Sequence, residues 1–292
     1  MSRVPYHELK ARERIAAIVD PGSFSEIIPP PERVMSAYLP KLCIPVAFDD
    51  GIAIGRATIA GKSVYLAAQA GQFVGGSVGE VHSAKLVGLL KSAARDRLPC
   101  VFLVESGGVR LHEGSSGEIG IAEAIRAVFD CRAAGVPTIA VIGSDIGAYG
   151  GMGILSACCD FRLMTEHGRI GISGPIVIEK WMGKEAFDSS NRALVWKTSG
   201  GKTRFLLGDA EALVNDSTDA VRDGILSLLS RSAKPDLAFV KARQKFLQER
   251  LDTFGKTPDP DAIWAALGVR DVAAATLAEA SEFVESFAPK KP

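Results

Sequence analysis

The sequence carries no surplus charge of either sign. Its 34 Lys and Arg residues balance 34 Asp and Glu residues, so the formal net charge is zero. That balance excludes the basic field of a nucleic-acid binder and the acidic tail of a solvating segment. No apolar run approaches the ~18 residues of a membrane span, and the stretch Met1–Arg14 is too polar for a signal peptide. Cysteines number five (Cys43, Cys100, Cys131, Cys158 and Cys159), an odd count without a CxxC spacing. A zinc ribbon and a disulfide framework are therefore not expected, and a reducing, cytoplasmic setting fits. Vicinal Cys158 and Cys159 read as two small apolar side chains in a buried helix. The four histidines (His7, His82, His112, His167) lie in separate segments, so no metal site is expected. Nucleotide signatures are absent too. A phosphate loop needs glycine where Trp196 precedes Gly201-Lys202-Thr203 and where Arg56 precedes Gly61-Lys62-Ser63. No G-x-G-x-x-G follows a strand. At Gly171-Ile172-Ser173 a nucleophile elbow fails, because Pro175 stands where its last glycine is needed.

What is present is an ordinary globular composition, 47% hydrophobic and 23% charged over 292 residues. Apolar periodicity predicts a helix over Tyr6–Val19, stopped by Asp20-Pro21-Gly22, then a stiff connector at Ile28–Pro31. Strands are expected at Gly51–Ile59 and Ser63–Gln69, with a helix over Glu80–Ala94 that directs Lys85 and Lys91 outward. A helix over Glu118–Ala134 follows, with Ser115 or Ser116 as its cap. Strands are expected at Phe161–Met164 and Gly168–Ser173. Beyond Ile176 the chain reads as helical: Glu179–Phe187, Ser190–Thr198, Asp219–Leu229, Leu237–Leu251, Ala262–Leu267 and Val272–Phe287, with a loop at Gly200–Thr203. The expected division is an N-terminal helix and connector (residues 1–48), an α/β core (49–215) and a helical C-terminal region (216–292) that packs on the core or on a partner.

Chemistry concentrates between Val101 and Pro175. Two short apolar runs, Val101–Val104 and Ile139–Ile142, each empty into a glycine-rich turn that opens a helix. Glycine pairs there leave backbone N–H groups open to a ligand, and a helix start adds unpaired donors and the positive end of its dipole. Two such turns side by side could stabilise an oxygen on which negative charge develops. The same glycines could equally be plain turns. Tyr149 and His112 flank them, within reach of a substrate or simply packed.

Local wording narrows this choice. ARERI-x4-DPGSF-x-EI (Ala11–Ile27), GGS-x-GE-x-H (Gly75–His82) with Lys85, ESGG-x-R (Glu105–Arg110), GGMG (Gly150–Gly153) and IG-x-SGP (Ile170–Pro175) occur in this order. Over roughly residues 11–225 the chain resembles the biotin-type acyl-CoA carboxyltransferases, relatives of the crotonase superfamily. Within that family it is most similar to the malonate decarboxylase beta subunits, given its short N-terminus and divergent tract Glu179–Leu207. The resemblance implies a crotonase-like spiral of strand–strand–helix units with a helical C-terminal region. It implies an oxyanion hole from the amides of Gly107, Gly108, Gly150 and Gly151, with Gly75, Gly76, Lys85, Arg110, Tyr149 and Gly174 toward the acyl carrier. It implies no metal and no cofactor on this chain. The substrate would be a malonyl thioester on the phosphopantetheine-type group of a separate acyl carrier protein, and the site would be shared with a homologous gamma subunit. Decarboxylation is the expected reaction. Transfer of the carboxyl group to or from biotin, or a non-catalytic assembly role, are the alternatives.

Overall fold

The computed structural model describes residues 4–231 and 235–289. Its organising element is a sheet whose central strands are buried at every position. Strands β1 (Ser25–Ile27), β2 (Ile52–Ile59), β3 (Lys62–Gln69), β4 (Cys100–Val104), β5 (Thr138–Ile142), β6 (Phe161–Thr165) and β7 (Ala212–Val214) form one seven-stranded sheet in chain order. The pairs β1–β2 and β2–β3 are antiparallel, and β3 to β7 run parallel. Successive side chains point to opposite faces, so an unbroken apolar run serves a strand covered on both sides. In β4, Cys100, Phe102 and Val104 enter one core, while Val101 and Leu103 enter the other.

Helices cover both faces. On the first lie α3 (Glu80–Asp96), α4 (Ser115–Ala133) and α5 (Gly150–Cys158), contributing Leu86, Leu89, Leu90, Val128, Met152 and Leu155. On the second lie α1 (Ala11–Ile18) and α9 (Thr218–Leu229), with Ile15, Ile18, Val221, Ile225 and Leu228. Helix α1 and strand β1, drawn from the N-terminal 48 residues, thus join the sheet and core of the segment that follows them. The remaining helices are α2 (Tyr38–Lys41), α6 (Pro175–Met182), α7 (Arg192–Ser199), α8 (Gly201–Leu206), α10 (Leu237–Phe254), α11 (Pro260–Ala266), α12 (Val272–Leu277) and α13 (Ala280–Glu282). None among the described residues is long and apolar enough to cross a membrane.

Several local expectations change. The N-terminal helix is broken: Tyr6–Glu8 is a short 3-10 turn, Leu9 is extended, and α1 starts only at Ala11. There the Lys10 N–H donates to Glu13 Oε2 at 2.8 Å, and Arg14 Nε donates to the freed Leu9 carbonyl at 2.8 Å. Helix α4 begins at Ser115 itself, behind Gly114 at φ +57°, and no side chain caps it. The stretch Gly168–Ser173 is no strand. Its Ala148–Ile170 and Arg169–Gly200 pairings are isolated bridges. Helix α6 starts earlier than expected, with Pro175 in its first turn, and stops at Gly183, where φ is +84°. Gly200–Thr203 is helical from Gly201, not a loop. The long C-terminal helix is interrupted at Ala278, whose backbone is extended. The Lys202 ammonium donates to the carbonyls of Ala275, Thr276 and Ala278, satisfying the end of α12. Edge strands β1 and β7, three residues each, carry too short a pattern to read from sequence.

Candidate active site

The two glycine turns meet beyond the C-terminal ends of β4 and β5. Because β4 and β5 are parallel neighbours, the segments leaving them stay side by side. Ser106 donates its N–H to the Gly147 carbonyl at 2.8 Å, and Tyr149 returns one to the Ser106 carbonyl at 2.9 Å. On its other side this segment is held by the 75–78 loop. The Val78 N–H donates to the Gly108 carbonyl and the Arg110 N–H to the Val78 carbonyl, both at 2.9 Å. Ala148 bridges onward to Ile170. After β2–β3–α3, which keeps both strands, the second strand of the expected strand–strand–helix units survives only as these bridges.

This network decides which amides can serve a ligand, and it differs from the expectation. The Gly107 N–H is committed to the Gly75 carbonyl and the Gly150 N–H to the Ile172 carbonyl, each at 2.9 Å. Gly108 N–H rests 3.2 Å from its neighbour Ser106 Oγ. By contrast, the Val109 and Gly151 N–H groups have no hydrogen-bond partner among the described residues. Val109 pairs with Val78 as a parallel bridge in which only Gly108 and Arg110 supply the bonds. Its own N–H therefore faces the opposite side, toward the start of α5. Gly151 is the second residue of α5, where a helix leaves its amides unpaired and the dipole is positive. Sequence reasoning found Gly151 and missed Val109, because an apolar residue after a Gly-Gly pair signals nothing about where its amide points.

Glycine is required where the two turns touch. Gly150 adopts φ +55°, and a Cβ there would lie 2.9 Å from Gly108 Cα. Gly108 itself adopts φ +129°. Gly76, at φ +64°, would drive a Cβ into the Glu105 carbonyl. Gly75 and Gly174 face open space, although the φ of +64° at Gly75 still favours glycine there. Tyr149 is buried, and its hydroxyl has no partner among the described residues.

The two cationic binding residues expected from sequence are turned inward. The Arg110 guanidinium is fully buried, 2.9 Å from Asp50 Oδ2 and 2.8 Å from Glu113 Oε1, and also donates to the Asp50 and Ser77 carbonyls. It ties three segments together. Burial pushes the Asp50 carboxyl up, and Arg110 beside it opposes that shift. Lys85, expected to point outward, is 3% exposed, and its ammonium donates to the Asp49 carbonyl at 2.8 Å. Burial lowers its pKa, against the pull of Asp49 and Asp50. Among residues the sequence did not single out, Glu105 pairs with buried Arg14 and accepts the Gly71 N–H at 3.1 Å. The glycine turn after β4 is thereby anchored to α1.

His82, beneath the 75–79 loop, must be neutral. Gln69 Oε1 accepts the Glu105 N–H, which turns its Nε2 donor toward His82 Nε2 at 3.0 Å, and His82 Nδ1 lies 3.2 Å from the Asp50 carbonyl. A proton on Nε2 would face another donor. Burial, first, and then the Arg110 charge hold this imidazole down at about 3 against its usual 6.5. The unfolded chain takes up the proton as pH falls through 6.5 while the folded chain does not until about 3. Stability from this site is thus complete above pH 6.5 and declines below it by about 1.4 kcal/mol per pH unit. Urea unfolding at pH 6.5 and pH 5 should show the wild type losing about 2 kcal/mol more than His82→Gln. Equal losses in the two proteins would remove His82 as the cause.

One turn further along α5, Gly153 and Ile154 open onto a cavity of about 670 Å³ that also takes in Cys158, Ile172 and Arg243. Elsewhere the fold brings His7 and His167 face to face, with ring centroids 3.8 Å apart. No sequence spacing announced that pairing.

The chain is similar to known proteins along most of its length. The carboxyl transferase domain family matches residues 5–230. The malonyl-S-ACP:biotin-protein carboxyltransferase of Malonomonas rubra is 36% identical over 282 residues, covering 89% of this chain and 88% of that protein. The methylmalonyl-CoA carboxyltransferase 12S subunit of Propionibacterium freudenreichii subsp. shermanii is 30% identical over 79% of this chain, which spans 42% of that longer protein. Among solved structures, a chain of the Pseudomonas malonate decarboxylase hetero-tetramer with malonate superposes with a TM-score of 0.81 at 35% identity, covering 88% of this chain and 94% of that one. A chain of the Pseudomonas malonate decarboxylase hetero-dimer gives 0.68 at 33% identity, with coverages of 86% and 97%. The expected crotonase-like architecture is the one these neighbours share.

Proposed function

Since the chain belongs to the carboxyl transferase family, matched over residues 5–230, we propose that it decarboxylates a malonyl group carried as a thioester on a separate acyl carrier protein. The observation that carries this reading is the pair of unpartnered amides, Val109 and Gly151, on turns that touch at Gly108 and Gly150. Cleaving the bond between the carboxylate and the methylene carbon releases carbon dioxide. The electron pair passes into an enolate whose charge gathers on the thioester oxygen. Two preorganised N–H donors at that oxygen could each lower the barrier by about 3 kcal/mol. Protonation of the methylene carbon then gives the acetyl thioester. Nothing in this step calls on a nucleophile or a strong base. The cavity beside Gly153 and Ile154 has an apolar wall suited to a flexible thioester arm. The substrate would sit between this chain and a homologous gamma-type subunit.

Transfer of the carboxyl group to biotin is the second reading, and one observation favours it. The Malonomonas relative is named for transfer to a biotin protein, and it is as similar as the Pseudomonas decarboxylase chain, at 36% against 35% identity. A transferase must hold a ureido acceptor opposite the thioester, whereas a decarboxylase needs only the enolate stabiliser and a proton. This chain's unpartnered amides supply the stabiliser, so release is preferred. The reconstituted complex, given malonyl carrier labelled at the carboxyl carbon, should evolve labelled carbon dioxide in the presence of excess avidin. Loss of the labelled gas under avidin, restored by added biotin carrier, would replace decarboxylation with transfer.

A further inference from the structure

His7, Asp145 and His167 come from three distant parts of the chain, and one donor atom from each lies within 4.8 Å of the other two. We infer that this cluster is a site for a borderline divalent cation of the zinc, cobalt or nickel class, and that the bound ion clasps the N-terminal segment to the turn that leads into α5. Three features of the cluster point this way.

The donor set is two imidazoles and one carboxylate, a combination that zinc and its neighbours accept with water in the fourth position. The site is also reachable. Asp145 is 63% exposed, while His7 and His167 are 22% and 19% exposed, so the histidines are shielded and the carboxylate faces solvent. Finally, the histidines are supported from behind. The His7 ring is bonded through Nδ1 to Asp216, which leaves Nε2 as its donor toward an ion. A carboxylate on the far nitrogen is the usual support of a metal-ligating imidazole, fixing its tautomer and raising its basicity. Asp216 also accepts the His7 backbone N–H at 3.2 Å, and Pro5 bridges Ser217, so the whole turn is held in place. The backbone next to His167 is held through its carbonyl, which accepts from Trp196 Nε1 at 3.2 Å.

In the structure the two rings stack at 3.8 Å with planes 16° apart, and His167 Nε2 lies 3.0 Å from Asp145 Oδ1. Ligand atoms around a tetrahedral ion stand about 3.4 Å apart, so capture requires the rings to fan open and the set to close by about 1 Å. Asp145 sits in the turn where Ser144 Oγ donates to the Val104 carbonyl, six residues before Gly151. An ion here would link the 3-10 turn Tyr6–Glu8, the end of β6 and the approach to α5. It would touch no reacting atom, so its role is positional.

The test uses the full chain without a polyhistidine tag, stripped with chelator and titrated with cobalt(II) and with zinc(II). The wild type should bind one ion per chain, develop cobalt ligand-field absorption and melt at a higher temperature with zinc. His7→Gln and His167→Gln should each weaken binding by about tenfold or more and lose the zinc-induced rise in melting temperature. Asp145→Asn, at an exposed position where folding is not at risk, should weaken binding too, and His112→Gln should not. A wild type that binds neither ion at micromolar concentration would overturn the inference. So would His167→Gln and Asp145→Asn variants that bind as tightly as the wild type.

Discussion

Gly150→Val is expected to lower turnover of the assembled enzyme by about a hundredfold to a thousandfold, the usual effect of losing an oxyanion donor. The residue adopts φ +55°, and its Cβ would stand 2.9 Å from Gly108 Cα, which is backbone and cannot rotate away. To make room, the two turns must part, and the Val109 and Gly151 amides part with them. The left-handed conformation of a branched residue adds strain of about 1–3 kcal/mol, which a domain of ordinary stability survives. The loss should therefore appear in kcat with little change in KM, because the donors matter most once charge has moved onto oxygen. Gly88→Ala, at a helical position where a Cβ meets nothing within 4 Å, is the control and should leave turnover unchanged. A folded, assembled Gly150→Val enzyme with full activity would show that the site lies elsewhere.

The second large effect concerns partnership. If the proposed shared site holds, the chain alone is expected to decarboxylate malonyl thioesters at least about a hundredfold more slowly than a complex with a gamma-type partner, since a substrate held from one side is poorly positioned. The surface beside the glycine turns is conspicuously apolar for one exposed to water. Ile172 is 76% exposed, Ile176 66%, Trp181 86% and Met182 61%, and helix α6 buries no residue of its own. A patch of this kind marks an interaction surface. Its position next to the Gly150–Ile172 bond would set a partner against the site. Steady-state rates measured with and without the purified partner, at nanomolar chain, check this. Full turnover by the lone chain at that concentration would refute the shared site.

Much of the site was legible because its signals are local. The glycine pairs at 107–108 and 150–151 follow short apolar runs, and that arrangement alone placed them on turns at strand ends. Gly150 and Gly108 are glycines for a reason the sequence did not announce, the close approach of two backbones. What could not be read is the direction of each N–H. Gly107 and Gly150 looked like donors, yet their amides close the turns onto Gly75 and Ile172, and the donors left over are Val109 and Gly151. A backbone amide carries no mark in the sequence of whom it bonds. Arg110 and Lys85 misled for a related reason: a long cation near a loop reads as exposed, and only the fold supplies buried carbonyls and carboxylates to receive it.

Sequence by itself indicated the short buried strands of the core, since an apolar run of four or five residues between turn signals suits a strand covered on both faces. It determined equally that α3, α4 and α9 are helices, through stripes of period 3.6 long enough to outlast local ambiguity. Tertiary structure decided what depends on groups far apart in the chain. At Ala278, where α12 ends, Lys202 from a distant helix receives the last carbonyls. His82 is neutral because the fold buries it and sets the Arg110 charge beside it. His7 lies on His167 across 160 residues because β6 ends where the first turn of the chain crosses. Periodicity records a residue's own helix or strand, whereas these contacts depend on how the elements are folded together.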